Sequence, residues 1–268
     1  MLDRGKADVL GVRIAAVDYE AAVDQIVRAA RARQPMAVSA LAVHGVMTGV
    51  LDAVHRYRLN HFDLLVPDGQ PVRWALRWLH GIGLPDRVYG PVLMRRLCEH
   101  AAQERLPIFL FGGTERQLAA LSSSLTSQYP GLLIAGTRPS KFRKISEAER
   151  TEVTRAIVES GAALTFVGLG CPRQEVWVFE HRDRLDMPLV AVGAAFSFLA
   201  GWLKDAPHVM QNAGLEWLFR LVQEPVRLWK RYLILNPLYL GLLVLQMTGL
   251  RPFDARVASP PTDEIRYG

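Results

Sequence analysis

The chain has 268 residues, half of them hydrophobic, which is enough to bury a sizeable core in one large domain with a small appendage. Its 32 Lys and Arg against 26 Asp and Glu leave a net charge of +6, a bias that suits nucleic acid, an anionic membrane surface or a phosphorylated substrate. No arginine-rich arm, zinc-finger spacing or RNA-binding aromatic motif is present, so nucleic acid is excluded as the expected partner, and the two widely separated cysteines, Cys98 and Cys171, exclude a disulfide framework.

The first eight residues are polar and lack the apolar segment of a secretory signal, which points to the cytoplasm. Apolar runs of strand length then follow at Val9–Ile14, Met36–Leu41, Leu64–Val66, Ile108–Phe111, Leu132–Ala135, Leu164–Val167 and Leu189–Val192. Between them, apolar residues recur at three- and four-residue spacing over Tyr19–Arg33, Val43–Leu59, Val92–Glu104, Glu115–Gln128, Ser146–Glu159 and Glu175–Arg184. Strand alternating with helix predicts an α/β fold, a Rossmann-like and mostly parallel sheet with helices on both faces. After about Gly193 the chain turns aromatic, basic and apolar. We assign 1–203 to the α/β domain, 204–252 to a helical, basic and apolar appendage that associates with a membrane, and 253–268 to a disordered tail.

Several strand ends carry candidate chemistry. Val66-Pro67-Asp68-Gly69-Gln70 presents Asp68 at a sheet edge, where a carboxylate can act as general base on a nearby hydroxyl, although Asp-Gly is equally a common turn. Arg87 could hold a phosphate or simply cap a carboxylate. Gly112-Gly113 and Gly168-Leu169-Gly170-Cys171-Pro172-Arg173-Gln174-Glu175 both read as strand, glycine turn and helix start, an arrangement that suits an anion in an open α/β sheet. Arg173, Gln174 and Glu175 add a cation, a two-way hydrogen bonder and an acceptor.

The full spaced-glycine dinucleotide fingerprint is missing, as are a Walker loop and an Asp-x-Asp pair, so neither cofactor nor metal is expected. Cationic side chains would then take the metal's role at a leaving diphosphate. Arg220, Arg227 and Arg231 share one face of a C-terminal helix that Pro225 should break or kink. The apolar stretch from Leu233 to Leu250 is interrupted by Asn236-Pro237, which favours lying in the membrane interface over crossing it.

Taken in order, Asp68-Gly69, Phe111-Gly112-Gly113, the Gly168–Glu175 octet, Val192-Gly193, Phe196, Ala200-Gly201, Ala206-Pro207 and the run from Gly214 to Pro225 resemble the WecG/TagA/CpsF glycosyltransferases. The resemblance implies a metal-independent, inverting enzyme at the cytoplasmic membrane face. Its donor would be a UDP-sugar and its acceptor a sugar linked to a polyprenyl diphosphate. Asp68 would be the base, Ser39, Arg87 and Gln174 would lie near the substrates, and the C-terminal arginines would close over the diphosphate. A homo-oligomer is compatible with this reading.

The chain has Ser39-Ala40-Leu41 where many members of that family carry Thr-x-Asn, Phe196-Ser197 for Phe-Asp, and Asp205-Ala206-Pro207 for Arg-Ala-Pro. These departures resemble the branch that builds xanthan- or acetan-type exopolysaccharide, which implies transfer of glucose from UDP-glucose to a lipid-linked glucose. The alternative is transfer of N-acetylmannosamine to a lipid-linked N-acetylglucosamine.

Overall fold

The computed structural model describes residues 1–207, 209–210 and 215–268. Its strands are β1 (Asp3–Val9), β2 (Val12–Val17), β3 (Met36–Leu41), β4 (Leu64–Pro67), β5 (Ile108–Gly112), β6 (Ile134–Arg138), β7 (Leu164–Gly168) and β8 (Pro188–Ala191). The last six form one parallel sheet in the order β4-β3-β8-β7-β5-β6. Parallel strands need cover on both faces, and the two-residue alternation of side chains supplies it. Val38, Leu64, Val66, Leu110, Phe166 and Val190 enter one core. Ala37, Leu65, Phe109, Phe111, Leu189 and Ala191 enter the other.

The covering helices are α1 (Tyr19–Arg31), α2 (Val43–Leu51), α3 (Ala53–Asn60), α4 (Gln70–His80), α5 (Gly90–Gln103), α6 (Glu115–Gln128), α7 (Glu147–Glu159), α8 (Arg173–His181) and α9 (Ala195–Leu199). Ile26, Leu97, Leu121 and Phe198 bring α1, α5, α6 and α9 to the first core. Met47, Leu59, Ala75, Ile157 and Trp177 bring α2, α3, α4, α7 and α8 to the second. The α/β architecture expected from the alternation of strand and helix is therefore the one observed.

Three local readings change. Val9–Ile14 is not one strand but spans the turn of the β1–β2 hairpin, because Leu10 and Gly11 both adopt positive φ (55° and 83°), the geometry of a two-residue hairpin turn. The expected helix Val43–Leu59 is two helices, since Asp52 leaves helical geometry and its carboxylate caps α3 by accepting from the Val54 and His55 amides. Helix α4, directly after Asp68, was not expected at all.

The appendage comprises α10 (Glu216–Gln223), α11 (Pro225–Lys230), a π-helical turn at Arg231–Leu235 and α12 (Asn236–Met247). Pro225 separates α10 from α11, as expected. Asn236-Pro237 does not interrupt the run that follows: Pro225–Met247 is one continuous helix of 23 residues, long and apolar enough to cross a membrane by length and composition. Proline is tolerated there because it sits in the first turn of α12, after the π-helical turn has shifted the hydrogen-bond register. Tyr239 is fully buried, with its hydroxyl donating to the Pro71 carbonyl at 3.2 Å, and Leu242 and Leu243 join the second core. Gly214, part of the C-terminal motif, lies outside the described residues.

The 253–268 segment, read from its composition as a disordered tail, ends docked on the α/β body. The Ile265 and Arg266 amides donate to the Glu180 carboxylate at 2.7 and 3.0 Å, Tyr267 bridges to Lys144, and Glu264 pairs with buried Arg150. Buried charge on the body provides partners that a polar, proline-containing sequence does not advertise.

Candidate active site

The carboxyl ends of β3, β4, β7 and β8 open beneath the appendage. At the end of β4 the Asp68 amide donates to the Leu41 carbonyl at 3.2 Å, which holds the aspartate beside the end of β3, and Gly69 at φ 108° turns the chain into α4. Behind it, Gly90 leaves room that a side chain would fill: a Cβ there would lie 3.5 Å from Asp68 Oδ2. Arg87 is buried and pairs with the buried Glu216 carboxylate of α10, its guanidinium 4.6 Å from the Tyr89 ring centroid. Burial pushes the Asp68 pKa up to about 6, with Arg87 and Arg220 pulling it down and Glu216 pushing it up.

The β7–α8 turn is built differently from its reading as a string of ligands. Gly112 and Gly168 are paired across β5 and β7, so close that a Cβ on Gly112 would fall 2.7 Å from the Gly168 backbone. A Cβ on Gly168 would meet the Phe196 ring at 2.5 Å, and one on Gly113 would meet the Gln117 amide at 2.3 Å. Gly112 and Gly168 serve close packing, Gly113 holds a left-handed backbone at φ 66°, and none of the three lines a chamber. Ser39 is fully buried, and its hydroxyl donates to Glu175 Oε1 at 2.9 Å. Gln174 Nε2 donates to the same oxygen at 2.8 Å while its Oε1 accepts from the Gly170 amide at 3.1 Å. Burial raises the Glu175 pKa. Ser39 is thus an internal support rather than a wall residue, and Arg173 is exposed, near the Tyr267 ring at 5.7 Å.

Two chambers result. A cavity of about 480 Å³ is lined by Asp68, Arg87 and Glu216 on its polar side and by Trp74, Tyr239 and Leu240 on its apolar side. A smaller one, about 120 Å³, is lined by Gly170, Gln174, Glu175 and Gly193 from the body and by Arg227 and Arg231 from the appendage. His44, Asp68, Tyr89, Arg220 and Arg231 line both. Although the break at Glu224 separates Arg220 from the other two arginines, all three reach the smaller chamber. Glu224 pairs with Arg220 at 3.8 Å and with Arg227, whereas Arg231 has no ion pair among the described residues. The arrangement can hold an anion against three guanidinium groups and place a second substrate, with an apolar portion, on the other side of one carboxylate. Among the described residues no three acidic, His or Cys side chains converge on a metal position.

His44, Tyr89 and Glu216 escaped the sequence reading. His44 follows the end of β3 as Asp68 follows the end of β4, and that equivalence of strand ends was the available signal. The profile of the Glycosyl transferase WecG/TagA/CpsF family matches residues 7–252.

Proposed function

The chain belongs to the WecG/TagA/CpsF family of glycosyltransferases, and from that premise we propose an inverting transfer of glucose from UDP-glucose to a polyprenyl-diphosphate-linked glucose. The enzyme is a glycosyltransferase, and its family uses a sugar nucleotide donor and a lipid-linked acceptor. The observation that carries the rest is the position of Asp68 where the two chambers meet. The donor diphosphate sits in the smaller chamber against Arg220, Arg227 and Arg231, and the lipid-linked sugar enters the larger one past Trp74 and Leu240. Asp68 takes the proton of the acceptor hydroxyl as its oxygen attacks the anomeric carbon from the face opposite the leaving nucleotide. The arginines stabilise the charge that develops on the diphosphate, in the role a metal ion fills elsewhere. The exposed apolar residues Val222, Val226, Leu233 and Leu238 support a peripheral seat for the appendage on the cytoplasmic membrane surface.

Of the three departures from the family pattern, one reaches a chamber. Ser197 accepts a hydrogen bond from Gln117 Nε2 at 2.9 Å and Asp205 pairs with Arg95 at 2.9 Å, and neither lines a chamber. Leu41 lines the smaller one and removes an amide from it. Incubation with a panel of UDP-sugars and a lipid-diphosphate-linked glucose, followed by mass measurement of the product, tests the proposal. A hexose added from UDP-glucose supports it; preference for an N-acetylated donor with a lipid-linked N-acetylglucosamine supports the alternative chemistry instead.

A further inference from the structure

We propose that the outer face of α4 is a second membrane-contacting surface, which sets Trp74, Arg77 and Trp78 against an anionic phospholipid bilayer at the mouth of the larger chamber. The inference rests on the reading of that chamber as the site of the lipid-linked acceptor. Val72, Ala75 and Leu76 turn one stripe of α4 into the second core. Trp74, Arg77 and Trp78 repeat the same three- and four-residue spacing on the exposed side. The two indole rings stack with centroids 5.8 Å apart, yet Trp74 remains 37% and Trp78 48% exposed. A lone exposed apolar side chain is ordinary, whereas two large rings stacked outside the core present a contiguous apolar patch.

Where the pair lies selects its partner. Trp74 lines the larger chamber together with Leu233, Pro237 and Leu240 of the appendage, all of them exposed. The Tyr239 hydroxyl, donating to the Pro71 carbonyl, ties α12 to the first turn of α4, so the aromatic face and the apolar 23-residue helix flank one opening. A sugar carried on a lipid reaches that opening from the bilayer, and the bilayer interface is where tryptophan, apolar in body with one N–H, is favoured. A second copy of the chain seated on Trp74 would close the route. Charge agrees with this choice. Arg73 is engaged by the Leu84 and Pro85 carbonyls at 2.8 and 3.1 Å. Arg77, by contrast, is exposed and has neither an ion pair nor a side-chain hydrogen bond among the described residues, which leaves its guanidinium to a lipid phosphate beside the two rings.

The test uses the full chain with Trp78→Gln and Arg77→Gln, two positions that line neither chamber. Four quantities are measured: cosedimentation with phosphatidylcholine vesicles containing phosphatidylglycerol, melting temperature, mass by light scattering, and turnover on a water-soluble short-chain acceptor. Trp78→Gln should weaken vesicle binding about tenfold and Arg77→Gln about fivefold, while melting temperature and turnover on the soluble acceptor hold. Arg77→Gln removes no packed side chain, so its result stands even where Trp78→Gln melts early. Unchanged vesicle binding in Arg77→Gln, or in a stably folded Trp78→Gln, overturns the proposal. A wild-type oligomer that Trp78→Gln dissociates overturns it as well, because the rings then belong to an interface between copies. Trp74→Ala with an unchanged KM for the lipid-linked acceptor overturns the reading of the chamber itself, a result distinct from variants that bind vesicles as the wild type does.

Discussion

Asp68 sits in opposing fields, and their balance sets when it can accept a proton. Burial holds its pKa near 6, against Arg87 and Arg220. The ionised carboxylate is the form that acts as a base, so kcat/KM should rise with pH through about 6 with a slope of one. Glu216 both neutralises Arg87 and repels the Asp68 charge; Glu216→Gln should therefore move this acid limb to lower pH, and a limb that stays in place would remove Glu216 from the electrostatics of the site. The sign for stability is opposite. Because the folded protein binds this proton more tightly than an unfolded aspartate with a pKa of 3.8, the carboxyl's contribution to stability is lost as pH rises from about 4 to about 6. Asp68 was legible in sequence because a strand end followed by glycine restricts where a side chain can point. Of the charges that act on it, Arg87 and Arg220 were also read from the sequence, whereas Glu216 was not. Arg87 and Glu216 stand 129 positions apart, and nothing local pairs them.

At the scale of elements, the glycine turns were legible as turns; of their glycines Gly170 lines the smaller chamber, while Gly112, Gly113 and Gly168 line neither. Gly112 is required by a close approach of backbones, with φ at 117° and the Gly168 backbone against the missing Cβ, whereas Gly168 and Gly113 face the Phe196 and Gln117 side chains. Gly112→Ala should cost about 2–3 kcal/mol and lower the melting temperature by several degrees, combining steric overlap with backbone strain. A melt indistinguishable from wild type would show that β5 and β7 can part there. Amphipathic spacing revealed most helices, yet it could not place the Asp52 break or the Leu10-Gly11 turn, where a single residue leaves the repeating geometry. The appendage carries an independent prediction. Val222 and Val226 are 75% and 88% exposed and line neither chamber. Glutamate at both positions should abolish cosedimentation with anionic liposomes while the melting temperature holds, and retained liposome binding would assign the membrane contact to another surface.

Over the whole molecule, the sheet provides strand ends and the appendage provides arginines, and neither part alone encloses a chamber. Tyr239, Leu242 and Leu243 fix α12 into the second core, which keeps Arg220 and Arg231 facing Asp68 across the cavities. The α/β alternation made the sheet readable from sequence, because periodicity is local. The closure was not, because it depends on pairs drawn from opposite ends of the chain. The central claim is that Asp68 deprotonates the acceptor at the junction of a nucleotide chamber and a lipid-linked sugar chamber. Its most direct test is the turnover of Asp68→Asn on a lipid-diphosphate-linked sugar, measured beside UDP affinity and melting temperature at pH 7. The amide keeps the shape but not the base, so turnover should fall by about 10² to 10⁴ with UDP binding intact and stability equal or higher. Turnover near that of the wild type would contradict the assignment.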